Sequence, residues 1–425
     1  VKPDYLIPSR DPWTRMTLLW GLWYFAIFTF GGEESIQTII WGGALIVGAA
    51  TLPKFQKEFR WSELPAEVQL LGIFWLWSFT GLLVAVDLEV FARYSRLIFQ
   101  FLLILLLLSF IIANSGAIKP LLAAFLAVGS ALTLYSAAGL DTGVSLESTR
   151  ELQRVAGANA VGFRAVMGVM GGLALFPETR SRLLRGVLLV GMALSLYGLV
   201  LSASRGAFVM LFVFIALWLA LSGTTIIRSK LAYVAIIIIV GVVGYYFYEF
   251  IMAETNLGRR MILAQSVEDD STRFRIELIL MTWDVFLDYP FFGAGLGQYG
   301  YATGTGFYAH VEISEILGTT GLIGLFIYYY MYLVTWRRLS WLHRHIQNPT
   351  VLYQVNFARA SLLLMIISGL LIRPNFISQD TMFLYAYIVG VSLWAKRICQ
   401  VAQPIGLQRQ SPRLPPTFGV LGKRP

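Results

Sequence analysis

Long apolar runs broken by short polar punctuation dominate the chain. The run LIFQFLLILLLLSFIIA at 97–113 shows no alternation, which sets aside the strand pattern of a membrane β-barrel. Apolar runs of about 17 to 25 residues are long enough to cross a bilayer as helices. About twelve such runs are predicted, at 16–32, 36–52, 69–86, 97–113, 119–137, 157–176, 184–203, 206–222, 231–251, 318–336, 356–372 and 381–396. The expected fold is therefore an all-α integral membrane protein. The first run follows Lys2, Arg10 and Arg15 as a secretory leader would, but GGEES behind it offers no small-residue cleavage pattern, so it is read as a span.

Most connections are short, and one is not: residues 252–317 form a large outward loop between the ninth and tenth spans. Loops of that length in a compact protein are commonly functional. Within it, STRFRIELILMTWDVFLD at 271–288 places Phe274, Leu278, Met281 and Val285 at the spacing of an amphipathic helix. DYP stops that helix, and FFGAGLGQYGYATGTGF follows with glycines at 293, 295, 297, 300, 304 and 306. The expected domain plan is one polytopic membrane domain over 1–397, containing the loop at 252–317, and a disordered cytoplasmic tail over 398–425 rich in Pro, Gln and Arg.

Composition agrees with this plan. Hydrophobic residues make up 57% of the chain and charged residues 13%, far below the charged fraction of about 25% in soluble domains. With the N-terminus placed in the cytoplasm, basic residues favour the inner segments by roughly two to one, as the positive-inside rule requires. All seven lysines then lie inside, and every outward cation is an arginine. One reading of this split is chance added to the general inside preference of lysine; the other is that the outer face binds phosphate, since a guanidinium grips an oxyanion through two parallel hydrogen bonds. The single cysteine, Cys399, excludes an internal disulfide and a thiolate metal cluster.

Chemistry-bearing residues are few. SASRGA at 202–207 sets Arg205 at the outer interface in a very short connection, where a lone arginine can equally snorkel to headgroups. On the 271–288 helix, Arg273 shares a stripe with Glu277, Asp284 and Asp288 and reads as solvated. Arg275 instead ends a stripe through Ile279, Thr282 and Phe286, so it is expected to face protein or membrane and to need an anion. The loop 138–156 adds Asp141, Glu147, Arg150, Glu151 and Arg154. His310 is the only outward histidine; it stands at a helix start with Glu312 and Glu315 within about a turn, and such carboxylates would make an imidazole more basic. His343 and His345, in RRLSWLHRH, are expected on a basic headgroup-facing surface, and Glu268, Asp269 and Asp270 on a solvated turn.

YAHVEISEILGTTGLIGL at 308–325 resembles the signature of the bacterial O-antigen ligase and polymerase family, in which a histidine precedes a glutamate by five residues and a Gly-Leu-x-Gly run. His310, Glu315, Gly321, Leu322 and Gly324 match it without a gap. PFFGAGLGQY is similar to the family's glycine turn, RIELI to its arginine-led helix, which selects Arg275, and SASRGA to its Ser-Arg-Gly element. The resemblance covers the chain from about residue 150 onward. Val311 replaces the usual asparagine, and Thr319 a second acid found in many members.

The resemblance implies an inverting, metal-independent glycosyltransferase without a cofactor, in the bacterial cytoplasmic membrane with its active site facing outward. The implied partners are an undecaprenyl pyrophosphate-linked glycan donor, a glycan or glycolipid acceptor and the lipid bilayer, with no nucleic acid. His310 and Glu315 would be catalytic, and Arg205, Arg275 and Arg154 would bind the diphosphate. A polymerase would share this chemistry. A transporter or flippase of lipid-linked sugars is the alternative of a different class, against which stands the lack of two-half symmetry in the sequence. A metal-dependent transferase using Asp87, Glu89 or Asp141 is a further alternative.

Overall fold

The computed structural model describes residues 12–30, 64–137, 158–226, 270–371 and 375–402, together with positions 249 and 253. Among the described residues the chain is helical and contains no strand. We number the helices α1 (Pro12–Phe30), α2 (Ala66–Ser78, prolonged by a tighter turn at Phe79–Leu83), α3 (Leu88–Ser115), α4 (Lys119–Ala137), α5 (Ala158–Leu175) and α6 (Arg182–Leu201). There follow α7 (Arg205–Ile226), α8 (Asp270–Asp288), the short α9 (Tyr299–Ala302), α10 (Glu312–His345), α11 (Pro349–Leu371) and α12 (Gln379–Ala402). Among the described residues, eight helices are long and apolar enough to cross a membrane, and a shorter apolar helix covers Lys119–Leu134. The protein is an all-α membrane protein.

The expected spans at 36–52 and 231–251, and most of the 252–269 stretch, lie outside the described residues. The other expected spans each fall on a described helix, and several of those helices are longer than their apolar runs, α3 and α10 among them. α3 starts at Leu88 because Asp87 caps it: Oδ1 accepts from the backbone N–H of Glu89 and of Val90, at 2.9 and 3.0 Å. α10 starts at Glu312 and runs to His345, interrupted once at Gly321.

α12 occupies the middle of the bundle. From Met382 to Val389 every residue is buried, the pattern of a helix enclosed on all sides by α3, α10 and α11. A helix so placed must satisfy its polar groups internally. Asp380 at its start receives the Arg164 guanidinium of α5 at 3.0 Å, and the same guanidinium lies 4.5 Å from the Phe28 ring of α1.

At the opposite end, Arg338 of α10 donates to the buried carboxylate of Glu67 at 2.8 Å and to Ser392 at 3.1 Å. Thr335 completes the cluster, donating to Glu67 Oε1 at 3.0 Å. The stretch RRLSWLHRH, expected as a headgroup-facing surface, does expose Arg337, Trp341, Arg344 and His345, but Arg338 turns inward and His343 Nδ1 shares a 2.7 Å hydrogen bond with Asn356.

Candidate functional site

The site is built around the break in α10. Gly321 has φ 67° and ψ −172°, a conformation open to glycine and closed to residues with a Cβ. A broken helix frees the carbonyls of its last turn, and inside a bundle each needs a new donor. The glycine-rich turn supplies them. Ala294 N–H donates to Gly318 O at 2.8 Å and Gly295 N–H to Thr319 O at 3.1 Å, while the Trp77 indole donates to Thr320 O at 3.1 Å. Beyond the break, Leu322 N–H donates to Pro290 O at 2.9 Å. Gly293 also has positive φ (73°) and packs its backbone on that of Thr319 and Thr320, where a Cβ would overlap. The two glycine motifs legible in the sequence thus form one interlocked unit.

From that anchor the loop is tied to its neighbours. Gln298 Oε1 accepts from the N–H groups of Val86 and Asp87, and its Nε2 donates to Asp87 O at 2.8 Å. The Tyr301 hydroxyl donates to Asp87 Oδ2 at 2.5 Å, a bond that holds the Asp87 carboxyl below the usual range. Buried Tyr299 donates to the carbonyl of Leu278 and shares a 3.1 Å hydrogen bond with Thr282, pinning α8. Both Asp87 oxygens are therefore engaged in capping and latching. Among the described residues, no three His, Cys, Asp or Glu side chains converge as a metal cage.

His310 follows this strap with φ 60°, in the left-handed region. Glu315 holds the turn in place, its Oε2 accepting from Ala309 N–H at 2.7 Å. The imidazole is half-buried, with the Tyr308 ring 4.0 Å away centroid to centroid. Burial, and secondarily the positive charge of Arg275, lower its pKa from the ordinary value to about 4.

The expectation of a carboxylate-supported, more basic imidazole is therefore corrected, because neither acid addresses the ring. Glu315 is wholly buried and spends Oε2 on Ala309, while its Oε1 is buried without a hydrogen-bond partner among the described residues. Glu312 points into the bundle: its Oε1 accepts from Asn375 N–H at 2.6 Å, Phe376 N–H at 3.0 Å and the Tyr328 hydroxyl at 3.0 Å.

On α8, the face read from the sequence as apolar is the one buried against α10, with Leu278, Thr282 and Val285 inside and Phe274 and Met281 packed beside them. Arg273 is exposed and pairs with Glu277 at 3.2 Å. Arg275, half-buried, makes no ion pair among the described residues and instead lies within electrostatic reach of His310.

Arg205 opens α7, behind Ser204, whose Oγ accepts from Ala207 N–H at 3.2 Å and donates to Asn159 at 2.8 Å. Asn159 begins α5, Arg164 of α5 pairs with Asp380 at the start of α12, and Asn375 just before α12 holds Glu312. This chain of contacts sets Arg205 and His310 at the same end of the bundle. Arg154, with Asp141 and the rest of 138–157, lies outside the described residues, as do Glu268 and Asp269. Thr319 is buried, its hydroxyl donating to Glu315 O at 2.6 Å, and Val311 is the uncapped residue before α10.

The residues missed in the sequence are Tyr308, whose ring packs at a tilt against the histidine, and Asn375, which holds Glu312. The first had a signal, being two positions away in YAH. The second had none, since only the fold brings 375 to 312. No match to the chain is found among curated proteins. Residues 190–329 match the family model described as O-antigen ligase, so over this segment, which includes Arg205, Arg275, His310, Glu315 and the Gly321 break, the chain is similar to that family.

Proposed function

We propose that the protein is an O-antigen ligase-type glycosyltransferase that moves a glycan from undecaprenyl pyrophosphate to an acceptor hydroxyl at the outer face of the bacterial cytoplasmic membrane. The observation that carries this reading is the juxtaposition of Arg275, with no ion-pair partner among the described residues, and a half-buried, neutral His310. Arg275 and Arg205, with Arg154, take the diphosphate. Fixed guanidinium groups in a partly desolvated site stabilise the charge that grows on the leaving group. His310 accepts the proton of the acceptor hydroxyl as its oxygen attacks the anomeric carbon from the face opposite the diphosphate. The carbon–oxygen bond to phosphate breaks, the diphosphate leaves with the electron pair, and the configuration inverts.

The imidazole's depressed pKa supports this order of events. An unprotonated ring waits in the free enzyme, and an arriving diphosphate offsets the Arg275 charge, making the ring a stronger base when the acceptor is in place. Glu315 acts by holding the Ala309–His310 turn. Charge stabilisation by arginine leaves no step that calls for a metal, so transfer survives chelation with EDTA. A polymerase uses the same donor and chemistry on a repeat-unit acceptor.

The deciding experiment is mass spectrometry of glycolipids from a deletion strain, paired with transfer by the purified protein. Undecaprenyl-linked glycan accumulates if the reading is right, and its state, polymerised or single-unit, separates ligase from polymerase. An unchanged lipid-linked pool overturns it.

A further inference from the structure

α8 has more apolar surface than its contact with the protein uses. At about 100° per residue, Arg273, Glu277, Asp284 and Asp288 fall in a wedge only about 60° wide. The next sector carries Leu278, Thr282 and Val285 and is buried against α10. The remaining arc carries Ile276, Ile279, Leu280, Trp283 and Leu287, all between 40% and 65% exposed. A helix lying on a soluble surface has one apolar face, and this one has two.

The exposed arc is continuous with surface that belongs to membrane spans. At the foot of α8, Phe291 and Phe292 are also exposed, and Phe292 stacks on Trp77 at 5.2 Å, inside the Ala66–Leu83 span. Across the α10 break the same surface carries on through exposed Leu322, Ile323 and Phe326 of the Glu312–His345 span. An apolar face merging with lipid-facing spans is covered by lipid. Arg275 stands on the seam, with the buried sector on one side and the exposed apolar arc on the other.

We propose that α8 and its following turn are seated in the outer leaflet, with the Ile276–Leu287 arc against acyl chains, and that Arg275 receives the phosphate of a membrane lipid arriving sideways through the leaflet. The identity of that lipid rests on the function proposed above; the membrane seat does not. The guanidinium's stem would lie along the lipid boundary and its head at headgroup depth, the ordinary disposition of an arginine at an interface. The donor's phosphate then reaches the site without leaving the membrane.

The test uses the full chain in proteoliposomes with the sole cysteine replaced, Cys399→Ser. Single cysteines at Leu280→Cys, Trp283→Cys, Glu277→Cys and Asp284→Cys carry a small fluorophore, quenched either by nitroxide-labelled phospholipid or by aqueous iodide. Lipid nitroxide is expected to quench the labels at 280 and 283 several-fold more than those at 277 and 284, and iodide the reverse. Iodide reaching all four labels overturns the seat, as does shielding of 280 and 283 from both quenchers, which would mean protein covers the arc.

The lateral route is tested with the double variant Leu280→Asp/Trp283→Asp, its fold checked by thermal melting. Transfer from a long-chain polyprenyl diphosphate donor in the bilayer should fall about tenfold or more, while a short-chain soluble analogue is used almost normally. Equal losses on both donors overturn the route. A wild-type protein that uses neither donor sinks the proposed function instead, and the quenching result still decides the seat.

Discussion

Arg275 of α8 and His310 before α10 interact electrostatically, and the cation, added to burial, lowers the imidazole pKa to about 4. The two side chains come from segments that the Tyr299 contacts with α8 hold together. A positive charge beside a base ordinarily weakens it. Here the same charge would bind the anion whose arrival relieves the effect.

The pH dependence follows with a definite sign. The proton-accepting form of His310 is the neutral one, present above a pKa of about 4 and lost below it. kcat/KM, which reports the free enzyme, should stay flat from pH 8 down to about 5 as far as His310 is concerned. Replacing Arg275 with glutamine removes the cation and should move the acid limb upward in pH, on top of a lower maximum. A wild-type acid limb centred near the ordinary histidine value counts against the burial and pairing described above.

His310→Ala should reduce transfer by about 100- to 10,000-fold, the usual worth of general-base assistance, with donor binding largely kept. His310→Gln should be about as impaired, since an amide hydrogen-bonds but accepts no proton. Binding and turnover measured on the same samples, with a thermal melt, separate this from a loss of fold. A glutamine variant near wild type would make His310 a structural residue.

Arg275→Lys should be strongly impaired and Arg273→Ala nearly normal. Arg273 spends its charge on Glu277 in solvent, whereas Arg275 sits half-buried on the seam, where a point charge does not reproduce a two-pronged grip. Transfer in membranes at equal protein level is the measurement. Equal losses would remove the distinction between the two faces.

Gly321→Ala should lower the thermal midpoint and the activity together. A backbone with positive φ and ψ near 180° alone costs a residue with a Cβ about 1–3 kcal/mol, and the added carbon would overlap the Phe291 backbone. Gly72→Ala is the control: among the described residues nothing lies near its would-be Cβ, and alanine is favoured in a helix by about 1 kcal/mol. Thermal unfolding in detergent should therefore show a drop for the first and none for the second.

Breaking the Glu67–Arg338 pair by Arg338→Met should cost about 3–5 kcal/mol, because a carboxylate with no exposed surface would be left without its cation. The double variant Glu67→Leu/Arg338→Met should recover much of the loss. A double variant no more stable than Arg338→Met would show that the pair's role is other than mutual neutralisation.

Run length made the spans legible, because crossing hydrocarbon imposes a length that only a helix meets. The difference between Arg273 and Arg275 was also legible, since helical periodicity alone separates a charged wedge from a seam. The histidine's electrostatics were not. Glu312 and Glu315 are near His310 in sequence, yet their carboxylates are claimed by Asn375, Phe376 and Ala309, partners that only the folded chain supplies. Arg338 was misplaced on the surface for the same reason: Glu67 lies far from it along the chain. The second apolar arc of α8 stood in the sequence as Ile276, Leu280 and Trp283, but without the fold nothing separated a face against protein from one against lipid.

The break in α10 also limits how this protein can move. The carbonyls of Gly318, Thr319 and Thr320 are satisfied by Ala294, Gly295 and Trp77, all from outside their own helix. Swinging the glycine turn away like a door would strand the first two acceptors at a depth where water is scarce, at a cost of several kcal/mol each. The turn and the upper part of α10 must then travel as one piece or stay still. Substrates would enter and leave such a site through gaps between fixed walls, and turnover would be timed by diffusion along the membrane rather than by the opening of a flap.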